Sequence, residues 1–250
     1  MRRVRPSRCG IGAIALVVGA VLCAAPADGP SSRPADRAQA VRAWLAGLGD
    51  AAEAVREDSR QQLLGLSREE LGLLRKAAGQ AVPLEASQAA MLREIVTHVY
   101  LTGQKYVPDP SGFLGVVLAR DEEEAGGVPN PQAKSSVIVE SRLPGFCSYR
   151  MLQDGDMILE AGGAAMAGKA DLINAIRACR PGDTVALKVL RQGKTLKVTI
   201  VLDARPADAV GLGAAGQIEA MRNARQDEAD KYWEATFAPL LRPERAEPGG

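Results

Sequence analysis

A single histidine, His98, serves a chain of 250 residues, and that shortage removes whole classes of chemistry. A zinc site of the His-Glu-x-x-His kind needs two. A serine-protease triad also needs a Ser in a glycine-rich turn and two barrels to carry it, and no Gly-x-Ser-x-Gly occurs. Aromatics are scarce at 4%, so the core must be built from Leu, Val, Ile and Ala. Neither sign of charge dominates, with 31 basic against 30 acidic residues, and nothing in that balance points to the basic face that nucleic acid requires. These shortages predict a chain that is not an enzyme and takes no metal or cofactor.

Long apolar runs are missing too, except at the start. "MRRVRPSR" is followed by "CGIGAIALVVGAVLCAA" and an Ala-x-Ala site before Asp28. That layout predicts a secretory signal peptide over residues 1–27. The run falls short of the roughly 20 residues a spanning helix needs, so an uncleaved anchor, and with it membrane contact, is the alternative. Leu22 stands before Cys23 where a lipoprotein would have a small residue. The reading is an exported protein, periplasmic or extracellular. Cys9 and Cys23 leave with the signal. Cys147 and Cys179 remain, either joined as a disulfide in an oxidising compartment or as two small buried residues.

What is present divides by period. After a linker at 28–35, residues 36–104 read as helical. Val41, Leu45 and Leu48 follow Ala38 on one face, and Ala52, Val55 and Leu63 on another. Ser67 and Glu70 form a capping box ahead of Leu71 and Leu74. Ala89, Leu92, Val96 and Val99 stripe a fourth helix. From about residue 108 the period becomes two, with strands at 137–140, 157–161, 184–190 and 196–202. "RQGK" joins the last two as a hairpin turn. One helix, "KADLINAIRACR", stops at Pro181-Gly182, and a shorter one is predicted at 146–152. A linker at 206–216 leads to a C-terminal amphipathic helix at 217–240. It carries Tyr232, Trp233 and Phe237 and is expected to dock back on the body. Residues 241–250 read as disordered. "GLGAAG" at 211–216 lacks the preceding strand of a dinucleotide site. The acids Asp121–Glu124 lack the alternate-position spacing of a calcium loop. The fold class is α+β.

Two resemblances add to this reading. "LGDAAEAVREDSRQQLLGLSREELGLLRKAA" resembles a HEAT-like helical repeat. "GFLGVVL", followed by "GDMILEAGG", "DLINAI", "PGDTV" and the closing hairpin, resembles a bacterial-type PDZ domain over residues 108–205. That resemblance implies a five-to-six-stranded barrel or sandwich with two short helices. It further implies recognition of protein C-termini or extended peptides by strand addition. Carried over by position, Phe113, Leu114, Gly115 and Val116 form the carboxylate-binding loop. Val116, Val117 and Leu118 form the pairing edge, and Leu172, Ile173 and Ile176 supply the helix side of the groove. Lys169 stands where many members have a His, which implies an acidic or polar ligand residue there. The functional expectation is an adaptor or quality-control accessory without catalysis. The alternatives are a scaffold whose groove is unused or self-occupied, and a non-catalytic subunit or relative of an envelope protease.

Overall fold

A computed structural model describes residues 34–103, 111–119, 137–204 and 215–241. The expected signal peptide over residues 1–27, the acidic stretch Asp121–Glu124, most of the expected 206–216 linker and residues 242–250 lie outside them.

Four helices open the described chain: α1 (Pro34–Gly47), α2 (Glu53–Leu64), α3 (Leu71–Ala81) and α4 (Ala86–Leu101). The capping box forms as read, and the Ser67 amide donates to Glu70 Oε2 at 2.9 Å. Val41, Leu45, Leu48, Leu74, Leu92, Val96 and Val99 all enter one aliphatic core. Val55 does not. It stays 44% exposed, and of its predicted stripe Leu63 alone is buried. The first turn of α2 lies at the edge of the body, where a helix-period residue has nothing to pack on.

The second unit contains β1 (Gly112–Phe113), β2 (Val116–Leu118), β3 (Val137–Arg142), α5 (Ser148–Met151), β4 (Met157–Ala161), β5 (Ala164–Ala165), α6 (Lys169–Arg177), β6 (Thr184–Arg191), β7 (Lys194–Val201) and β8 (Asp203–Ala204). The main sheet runs β2-β3-β4-β6-β7, with β5 paired to β4, and β1 pairs β8 apart from it. β6 and β7 zip in register from Thr184–Val201 to Arg191–Lys194. Gln192 and Gly193 both take positive φ at their turn, the geometry whose twist suits a two-residue hairpin. Val185, Leu187, Val189, Val198 and Ile200 point into the core as the alternation predicts, while Leu196 is 36% exposed. It sits near the hairpin tip, in a cleft shared with α2 residues such as Gln61.

Helices α7 (Ala215–Thr236) and α8 (Ala238–Leu241) close the chain. Trp233 and Phe237 are buried in the helical core, stacked with centroids 5.6 Å apart. The aromatic tail thus supplies the bulk that four short helices lack. Phe237→Ala is expected to cost about 4 kcal/mol in urea unfolding, the usual range for emptying a buried Phe site. No described helix is long and apolar enough to cross a membrane.

Candidate functional site

The apolar turn Phe113–Val116 sits between β1 and β2. Gly115 has φ +70, and a Cβ there would lie 2.5 Å from Cβ of Phe146. Only glycine meets both demands. Its carbonyl accepts the Leu143 N–H at 2.9 Å and the Ser148 hydroxyl at 3.2 Å. The front of the turn is fixed by the Gly112 N–H, which donates to the Cys179 carbonyl at 2.8 Å.

β2 is the edge of its sheet among the described residues. Its hydrogen-bond phase decides what that edge offers. Leu143 N–H bonds Gly115 O, and Ala119 N–H bonds Ile138 O, flanking the cross-strand pairs Val116–Arg142 and Leu118–Val139. In an antiparallel ladder, residues of such pairs turn their own N–H and C=O away from the partner strand. Val116 and Leu118 therefore direct backbone donors and acceptors outward. Leu114 and Gly115 donate to no described acceptor. Successive amides in a turn that includes a left-handed residue make an anion-binding concavity without a charged side chain.

The side chains divide by face. Leu114, Val116 and Leu118 join the cluster that holds Leu172 and Ile176 of α6. Phe113 and Val117 do not, which corrects the expected arrangement. The Phe113 ring meets Phe146 edge-on at 5.1 Å, and both residues pack with Leu143, Phe146 and Met221 of α7. The period-two rule puts Val117 opposite Val116 and Leu118. Ile173 is 40% exposed on α6, and Lys169 opens that helix. Asp171 secures the same end by accepting the Ala167 N–H at 2.9 Å.

The Cys147–Cys179 bridge left open by the sequence is not made. Cys179 carries a free thiol, and its Sγ turns back on the Ala175 carbonyl at 3.4 Å. Among the described residues no group of His, Cys, Asp or Glu is placed to hold a metal ion.

Residues 112–202 match the family model described as PDZ domain. This segment is a PDZ domain. Curated relatives match over the same part of the chain. One from Pseudomonas savastanoi pv. phaseolicola (strain 1448A / Race 6) is 31% identical over 105 residues, covering 41% of this chain and 22% of the relative. Another, from Pseudomonas putida (strain ATCC 700007 / DSM 6899 / JCM 31910 / BCRC 17059 / LMG 24140 / F1), is 29% identical over 118 residues, covering 46% and 24%. Both are named "Probable periplasmic serine endoprotease DegP-like". The chain thus spans less than a quarter of the length of these relatives. A solved "HtrA-type protease AlgW with decapeptide" aligns over 48% of this chain and 34% of its own, at 22% identity and TM-score 0.32. The expectation that the chain is not an enzyme is corrected here. The relatives it matches are named endoproteases, and one histidine and a missing motif did not reveal that kinship. The matched portion is the PDZ domain.

Sequence reasoning missed two groups around this domain. His98, whose partners the sequence does not show, is 2% exposed. Its Nδ1 accepts the Gly145 N–H at 3.0 Å, and its ring stacks on Tyr149 at 4.9 Å. Burial first, then Arg150, Arg60, Arg142 and Arg225, bring it down to about 3. Asp203 accepts the Cys147 N–H at 2.8 Å. Burial pushes its carboxyl up to about 6, against the pull of that amide. A raised carboxyl pKa means the folded state holds the proton more tightly, so this group's contribution weakens as pH rises from about 4 to 6. Asp203→Asn keeps an acceptor for the amide and is expected to gain about 2 kcal/mol at pH 7 and nothing at pH 4. Urea titrations at the two pH values check this.

Proposed function

We propose that the chain recognises peptides at the edge of β2, with free C-termini of other proteins as the principal ligands and extended segments as the second class. Backbone groups of Val116 and Leu118 extend the ladder, and the Leu114–Gly115–Val116 amides receive the terminal carboxylate. Leu114, Val116, Leu118, Leu172 and Ile176, with Ile173 at the rim, form the pocket and groove walls. Lys169 at the head of α6 favours an acidic or polar ligand residue near it. The observation that carries this reading is the outward-facing phase of the β2 ladder beside a glycine-built turn.

The names of the curated relatives support a place in the periplasm beside DegP-like proteolysis, with the PDZ domain choosing which polypeptides are engaged. The N-terminal signal layout agrees with export. The helical segment, HEAT-like by its sequence, belongs to this reading as the body on which the domain is mounted. A groove filled by the C-terminal helix is the weaker reading, because Trp233 and Phe237 are committed to the helical core.

Selection of random peptides with free C-termini against the full chain tests the proposal. The expected result is enrichment of one apolar class of terminal residue. A folded chain that enriches no terminal residue would overturn the reading.

A further inference from the structure

The turn behind the carboxylate loop is gripped by helices from outside the PDZ domain. Gly145 has φ +88, and a Cβ there would fall 2.5 Å from Nη2 of Arg225 and 2.7 Å from the Leu101 backbone. Its N–H is held by His98 of α4. Arg225 of α7 is 8% exposed. It donates to the Pro144 carbonyl at 3.0 Å and the Leu101 carbonyl at 3.4 Å, and lies 4.7 Å over the Phe146 ring. Phe146 in turn backs Gly115.

The peptide plane transmits this grip. In a trans peptide the C=O of one residue and the N–H of the next point in opposite directions. Leu143 N–H and Ser148 Oγ pin the Gly115 carbonyl backward, so the Val116 N–H is aimed forward into the groove. The segment that pins it, residues 143–148, is the one that α4 and α7 hold.

We infer that Arg225 is a positioning residue of the peptide site, through which α4 and α7 set the Gly115–Val116 peptide plane for binding a carboxylate. The inference rests on the peptide-binding reading above. It makes the helical body part of the site's affinity rather than a passive mount. Linkage then runs both ways: a bound peptide must tighten the 143–148 turn by the factor with which Arg225 tightens the peptide.

The test uses the full chain and a peptide selected as above. Arg225→Met removes the charge and the donors, and Arg225→Lys keeps a charge and donors without the planar guanidinium that lies over Phe146. Leu74→Ala, in the core of the helical body, serves as a control that lowers stability far from the turn. Arg225→Met is expected to weaken the peptide about tenfold, with Arg225→Lys between it and the wild type. Leu74→Ala should stay within about twofold. In the wild type, saturating peptide should slow hydrogen exchange of the Gly145 amide. Wild-type affinity in a folded Arg225→Met chain overturns the inference and leaves the peptide reading standing. If that variant does not fold, unchanged Gly145 exchange in the peptide-saturated wild type overturns it instead. A wild-type chain that binds no selected peptide removes both.

Discussion

Gly115→Ala is expected to destabilise the chain by about 3 kcal/mol and to abolish peptide binding. The loss has two sources. A side chain at φ +70 carries roughly 1 kcal/mol of left-handed strain, and crowding a packed neighbour adds about 1–3 kcal/mol. The neighbour is the base of the Phe146 side chain, which cannot swing away because Arg225 lies over its ring and Phe113 meets its edge. The strain therefore moves the Gly115–Val116 plane, and the amides lose their convergence. Urea unfolding and peptide titration measure the two losses separately. A variant with wild-type stability and affinity would show that the loop tolerates a side chain, and that the close contact with Phe146 is not a constraint.

Acidification is expected to expose the second large effect, at His98. The folded pKa of about 3 lies below the ordinary 6.5, so the unfolded chain takes up a proton that the folded chain refuses. Stability from this group is present above pH 6.5 and is lost as pH falls toward 3. By pH 4 the loss reaches about 3 kcal/mol. No internal arrangement relieves it. The faces around the ring supply Arg60 from α2, Arg142, Arg150 and Arg225, and Nδ1 already accepts the Gly145 amide. His98→Gln offers an acceptor that does not titrate. Its urea-unfolding free energy should change about 3 kcal/mol less than the wild type's between pH 6.5 and 4, with Asp203 contributing equally to both. Parallel pH profiles for the two chains would contradict the burial of a neutral imidazole at this joint.

Much of this arrangement was legible in the sequence where local rules and the fold agree. The Ser67–Glu70 box, the α4 stripe and the β6–β7 alternation each depend on neighbours three, four or two residues away. The order of the PDZ motifs supplied the rest of that domain, including the Leu114–Gly115–Val116 turn. What could not be read was set by distant partners. Val55 fits a helical stripe yet faces solvent, because periodicity says which residues share a face and not whether anything covers it. Phe113 was placed in the carboxylate loop and Val117 on the pairing edge by position in the PDZ resemblance, which does not say which face a side chain takes. A strand sends neighbours to opposite faces, and α7 covers the far one. Arg225 lies among charges in "MRNARQDEADK", which reads as a solvated helix surface; its partners Pro144 and Leu101 are far along the chain. His98 carried one signal that went unused: a polar residue between Val96 and Val99 on the buried stripe demands a partner. The kinship with named endoproteases entered the sequence reading only as an alternative, a relative of an envelope protease, because the matched PDZ motifs are those of peptide binding.

The most direct measurement is an amide NMR titration of the isotopically labelled full chain with one selected peptide in two forms, free acid and C-terminal amide. The free acid should shift the Leu114, Gly115, Val116 and Leu118 amides together, saturating at least tenfold earlier than the amidated form, as expected when a charge-assisted set of hydrogen bonds is lost. Equal titration by both forms, or shifts confined to surfaces away from β2 and α6, would contradict a carboxylate-anchored peptide at this edge.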